Sequence, residues 1–269
     1  YSIFDDSEGF SKDAADCNMD GKINIIDLVR IKKYLAGSLN EQLPASYRLV
    51  WQEEFSQENA LQRWKTKELN KIDSSIVDYN NITVENDNLV LSMNYDSNTG
   101  TYHIPPVVST ADTMNFKYGY MEMRAKIPFF GKGEWPALWL LSEDAMLSKD
   151  LSNLVQTKYN SEIDIVENLS SATKLQSQLH LWGDDDAITN ILGTRYNSYD
   201  FKDSASASDW NVYGIMWEKN RVKFYVNNTL FCQRTFIGDE KTYFSSYMTP
   251  ILSLFYYYPE VETNKVKGT

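Results

Sequence analysis

The stretch "YGYMEMRAKIP", residues 118–128, alternates strictly: Glu122, Arg124 and Lys126 occupy one set of positions, and Met121, Met123, Ala125 and Ile127 the other. Period two belongs to an extended strand, whose successive side chains point to opposite faces of a sheet. The same rhythm, rich in β-branched and aromatic residues, runs through "NLVLSMNY", "DWNVYGIMWEKNRVKFYVNNTLFCQRTF" and "TPILSLFYYY", with Lys219-Asn220 and Asn227-Asn228 as turns. A chain patterned this way is expected to be all-β, a sandwich of two antiparallel sheets. The polar face of residues 118–128 suggests a groove and makes Arg124 a candidate contact in it.

A second stretch, "SEIDIVEN", places Glu162 and Asp164 on one face of a strand and Ile163 and Ile165 on the other. Glu167 breaks the alternation, because five positions after Glu162 it belongs to the apolar face. An unpaired carboxylate there would cost several kcal/mol or take up a proton. Two readings are open. An extra residue at Ile165 or Val166, forming a β-bulge, would return Glu167 to the side of the other acids. Alternatively, the strand ends near Val166 and Glu167 points into solvent. Upstream, Trp135 and Trp139 are four apart in "EWPALWLL" and share a face if a strand continues through Pro136, a residue that favours an edge or irregular position. They suit either a wall for stacking sugar rings or a tryptophan pair in the core.

The net charge of −11 over 269 residues argues against nucleic acid and anionic membranes, which reward clustered Lys and Arg. A neutral polymer stays open, and 7 Trp, 18 Tyr and 12 Phe offer many flat faces of the kind sugars use. No stretch reaches the roughly 18 consecutive apolar residues of a membrane helix. The chain begins at Tyr1 without an initiator Met or a leader-like segment, as expected of a processed or trimmed product. Cys17 and Cys232 lie too far apart, in segments of different kind, to indicate a disulfide framework or a zinc site.

The first forty residues differ in kind. "DCNMDGKINIID" puts Asp16, Asn18, Asp20, Asn24 and Asp27 at loop positions 1, 3, 5, 9 and 12, with Gly21 at position 6 and the Lys22 carbonyl at position 7. This is the EF-hand layout, so a calcium ion is expected on Asp16, Asn18, Asp20, Lys22, Asn24 and Asp27. The helix "DLVRIKKYLAG" follows. The segment resembles one calcium-binding repeat of a bacterial dockerin, and "YSIFDDSEGFSKDAAD" supplies no second loop. The resemblance implies docking onto a cohesin module of a scaffold protein. The expected organisation is a partial dockerin-like module at 1–40, a linker at 41–48 and a β domain at 49–269.

From about Leu49 to about Pro259 the chain resembles glycoside hydrolase family 16, on "LVWQEEF", "YGYMEMRAKIP", "GKGEWPALWLL", "EIDIVE" and "VYGIMWEKNRVKFYVNN" in that order. The resemblance implies a β-jelly roll and, in the laminarinase-like form of the acid motif, the bulge. It also implies roles: Glu162 the nucleophile, Asp164 the assisting acid and Glu167 the general acid/base of a retaining endo-β-1,3(4)-glucanase that needs no catalytic cofactor. "QLHLWG" matches a strand beside the motif and adds His180 and Trp182, a lone structural histidine being the other reading of the first. Arg124, Trp135, Trp139, His180 and Trp182 are thus the expected substrate contacts. The implied setting is extracellular, on a cellulosome-like complex, with β-glucan as substrate and neither nucleic acid nor membrane as partner. Alternatives are another family substrate, a galactan or xyloglucan, or a glucan-binding protein without activity. Two departures bear on specificity and completeness. No closing strand like Asp-Tyr-Val-Arg-Val-Tyr follows Pro259, and "LFYYYPEVE" lacks the glycine pair many members carry, leaving β-1,3 and mixed-linkage glucan equally open.

Overall fold

The computed structural model describes residues 48–56, 60–68, 75–127, 133–143, 160–168, 171, 173–182, 197–201 and 206–256. The expected dockerin-like module, its calcium ligands Asp16, Asn18, Asp20, Lys22, Asn24 and Asp27, and nearly all of the linker lie outside them. Strand is the dominant structure among the described residues. One sheet has seven strands in the order β1 (Lys65–Lys67), β7 (Val107–Ser109), β16 (Met248–Tyr256), β9 (Glu134–Ser142), β10 (Asn160–Glu167), β11 (Lys174–Trp182) and β12 (Asn197–Asp200), antiparallel throughout. The second has four, in the order β15 (Thr229–Thr235), β14 (Arg221–Val226), β13 (Asn211–Glu218) and β8 (Gly119–Ala125). Smaller pieces flank them: β2 (Ser75–Val77), β5 (Asn94–Asp96) and β6 (Thr101–Ile104) form one sheet, and β3 (Ile82–Glu85) pairs with β4 (Asn88–Leu91). The named helical elements are two 3-10 turns and the single turn α1 (Glu240–Tyr243). None is long and apolar enough to cross a membrane.

The two large sheets pack face to face. Leu138, Leu140, Ile163 and Ile165 of the seven-stranded sheet meet Tyr213, Ile215, Trp217 and Phe224 of the four-stranded one in a single buried cluster. Full burial of each such side chain contributes about 1.5–3 kcal/mol. Asn227 and Asn228, between β14 and β15, both take left-handed backbone angles (φ 51° and 64°), which a two-residue turn of the hairpin type requires and which asparagine tolerates. Lys219-Asn220 joins β13 to β14, where Glu218 pairs with Arg221. Cys232 is a half-buried free thiol.

The polar face of β8 lies on the opposite side of the sandwich from the buried acids of β10. Met121, Met123 and Ala125 face the core, so Glu122, Arg124 and Lys126 lie on the outer side of the smaller sheet. There the Arg124 guanidinium sits 4.2 Å over the ring of Trp210, with the Lys126 ammonium 5.3 Å from the same ring. Alternation tells which residues share a face. It does not tell whether a polar face lines a cleft or simply meets water.

Candidate active site

β10 runs in mid-sheet between β9 and β11, and every one of its residues is buried. Against β9, Asp164 pairs with Trp139, Val166 with Leu138 and Glu167 with Ala137, so Ile165 has no partner. Against β11, Asp164 pairs with Gln178 and Glu167 with Gln176. Three steps on β10 therefore match two on each neighbour, which is a β-bulge. It puts Ile165 and Val166, each 2% exposed, into the core together and returns Glu167 to the face of Glu162 and Asp164. The bulge carbonyl would be orphaned in a buried strand, and the Ser177 hydroxyl donates to it at 2.6 Å. Of the two readings of "SEIDIVEN", the strand that ends at Val166 is excluded: Glu167 is 6% exposed and still in the ladder.

Pairing then fixes what surrounds the acids. Glu162 faces Leu141 on one side and His180 on the other. The Trp135 indole N–H donates to Glu167 Oε1 at 2.8 Å, and its half-buried ring meets Phe255 edge to face at 6.3 Å. Trp139 shares the acids' face as the spacing requires, but it is 8% exposed and packs with Val107, Leu141 and Ile251. Its N–H donates to Ser253 Oγ at 3.1 Å. Trp139 thus forms floor beside Asp164, and of the pair only Trp135 stands at the acids with its ring partly open. Pro136 sits in a central strand, not at an edge. Its carbonyl accepts from Asn168 N, just beyond the last residue of β10, so its missing N–H falls where that ladder ends.

His180 Nε2 lies 3.2 Å from Asp164 Oδ2, and His180 Nδ1 lies 3.3 Å from Gln178 Nε2. Trp182 ends β11 opposite Asn160, and its side chain is outside the described residues. The structure gathers Glu162, Asp164, Glu167, Trp135, Trp139 and His180 on one face and leaves Arg124 on the far side of the sandwich. Gln178, Ser177 and Ser253 escaped the sequence reading. The first two had a legible trace: in "KLQSQLHLW" Gln176, Gln178 and His180 alternate with Leu175, Ser177, Leu179 and Leu181, where the one polar residue of the apolar row is Ser177.

Burial raises Asp164 well above the ordinary carboxylate range, the charge of Glu167 adds to that rise, and a hydrogen bond with Glu162 opposes it. Glu167 is also raised by burial, against the pull of the Trp135 N–H and of His180. Acids so placed share protons instead of ionising together. One ligand atom from each of Glu162, Asp164 and His180 falls within 4.8 Å of the others, close enough for one cation among the described residues.

Residues 70–256 match the family model for Glycosyl hydrolases family 16. The chain belongs to this family. Residues 10–48 match the Dockerin type I domain. Among curated relatives of the family 16 chain, a keratan-sulfate endo-1,4-beta-galactosidase of Sphingobacterium multivorum is 29% identical over 68% of this chain and 42% of its own length. Glucan endo-1,3-beta-glucosidase A1 of Niallia circulans is 25% identical over 74% of this chain and 31% of its own. The chain thus spans less than half the length of either. In fold it is similar to the laminarinase catalytic domain of Thermotoga maritima MSB8, with a TM-score of 0.62 and 23% identity over 78% of this chain and 88% of that one.

Proposed function

We propose that the family 16 domain is a retaining endo-hydrolase of β-1,3- or mixed-linkage β-1,3(4)-glucans. The observation that carries this reading is the bulge, which sets three carboxyl groups on one face of a central strand. Retaining hydrolysis needs two carboxyl groups, one to attack the anomeric carbon and one to protonate the departing oxygen. Glu162 is the nucleophile, forming a bond to the anomeric carbon as the glycosidic C–O bond breaks. Glu167, whose raised pKa suits an acid, gives its proton to the leaving oxygen. It then takes a proton from the water that releases the sugar from Glu162. Asp164 holds Glu162 by a hydrogen bond. Trp135 offers a ring face to the sugar and keeps Glu167 in place, with Trp139 as floor and His180 and Trp182 as flanking contacts.

One observation favours a second reading, a galactan as substrate: the relative of Sphingobacterium multivorum is named as a galactosidase. Incubation with laminarin, barley mixed-linkage glucan, agarose, xyloglucan and keratan sulfate, followed by product sizing, separates the possibilities. Internal cleavage of laminarin or barley glucan is expected. Cleavage of agarose or keratan sulfate alone would transfer the enzyme to galactans, and binding without cleavage of any polymer would remove the catalytic reading.

The N-terminal segment is, in the same proposal, a calcium-loaded dockerin that attaches the enzyme to a cohesin outside the cell. The match to Dockerin type I supports it, as does the spacing of the loop oxygens around Gly21. Calorimetric titration of the whole chain with calcium should show one site that is missing in Asp20→Ala. Identical heats in the two proteins would refute the assignment.

A further inference from the structure

We infer that Gln178 is a positioning residue that holds His180 in the tautomer protonated on Nε2, so that the imidazole donates to Asp164 and cannot take the proton that Asp164 shares with Glu162. The inference deepens the reading of Glu162 as nucleophile and rests on it for its kinetic consequence.

The geometry is a chain across two paired strands. Gln178 stands directly opposite Asp164, and His180 directly opposite Glu162. Gln178 is 4% exposed, so its amide is shielded from water. A neutral imidazole carries one donor and one acceptor nitrogen, and whatever satisfies one decides the other. Gln178 Nε2 lies 3.3 Å from Nδ1, and an amide N–H can donate there only to a bare Nδ1, so this contact and a ring proton on Nε2 go together. Nε2 is 3.2 Å from Asp164 Oδ2, a buried acceptor that has no aligned hydrogen bond among the described residues. A buried oxygen in that position calls for a donor, and Nε2–H is at hand.

The reverse orientation has the opposite chemistry. Were the amide oxygen to face Nδ1, that nitrogen would carry the proton and Nε2 would present a lone pair to Asp164. The imidazole would then compete with Glu162 for the acid's proton. In the inferred polarity every donor in the chain points from Gln178 through His180 toward the acid pair. The proton stays between Asp164 and Glu162, where it can leave Glu162 ionised at the moment of attack.

Nitrogen-15 NMR of the histidine-labelled full chain tests this directly, because His103 and His180 are its two histidines and His103→Gln identifies the signals. Near neutral pH, His180 should show a protonated Nε2 and a bare Nδ1. Gln178→Glu offers an acceptor where a donor stood, so Nδ1 should gain a proton, and kcat on laminarin should fall about 10- to 100-fold, the size of one lost hydrogen bond to a charged group. Gln178→Met, which neither donates nor accepts there, should leave a mixture of tautomers. A wild-type His180 protonated on Nδ1, or a tautomer unmoved by Gln178→Glu, would overturn the inference. The NMR arm needs no turnover, so an inactive wild-type enzyme with the expected tautomer would count against the hydrolase reading alone.

Discussion

Glu167→Ala should lose about 10²- to 10⁴-fold in turnover of natural glucan, the usual contribution of a positioned general acid, yet keep forming the glycosyl-enzyme from an aryl glycoside with a good leaving group. Such a substrate departs with little protonation. Added azide, small enough to enter the space left by the side chain, should rescue the second step and give the β-glycosyl azide. Glu162→Ala should behave differently, since with no nucleophile the azide can only displace directly and give the α-product. NMR of the azide products decides between the two. The β-product from Glu162→Ala together with the α-product from Glu167→Ala would exchange the roles, and inversion by the unmodified enzyme would end the double-displacement reading.

Asp164→Asn should make the protein more stable at neutral pH while weakening catalysis. Asp164 is 3% exposed and raised by burial, so its folded pKa lies above the unfolded value of about 3.9. A raised acid contributes stability that is fully present below the unfolded pKa and is lost as pH rises through the folded one. Asparagine fills the same space, carries no charge at any pH and has no such loss. The Tm difference between variant and wild type should therefore be near zero at pH 4 and grow toward pH 8. There it should reach a few degrees, corresponding to about 1–3 kcal/mol for one poorly compensated buried group. Thermal melts across that range measure it. A wild type that stayed the more stable at pH 8 would show that Asp164 is well accommodated as an anion. Excess stability in a less active variant is what a site kept strained for function should yield.

The sandwich was legible because its evidence is local: alternation in residues 118–128 and 209–236 survives any packing of the strands. So was the acid trio, whose members lie within six residues of one another. Which face of a strand shares a side of the sandwich with the acids is not local information. Arg124 has the same alternation as a groove residue would, and only the pairing of β8 with β13 puts it on the outer side, beside Trp210. Trp139 is the converse case. Its spacing from Trp135 placed it on the right face, but burial beneath Val107 and Ile251 depends on strands from distant parts of the chain. Gln178 was hidden for a third reason. An amide in a row of polar residues is unremarkable until the partner strand sets it against a histidine and an acid at once.

The bulge in β10 also decides which part of the molecule sets the distance between the proposed nucleophile and acid. β9 and β11 take two straight steps between the partners of Asp164 and those of Glu167, so they act as a ruler to which the acid-bearing strand is fitted. The surplus length is pressed into the opposite face as Ile165 and Val166, locked there by close packing and by the Ser177 hydroxyl. The acids are therefore spaced by strands that carry none of them, and a core substitution beneath the site would shift the gap between carboxyl groups without touching any of the three acids.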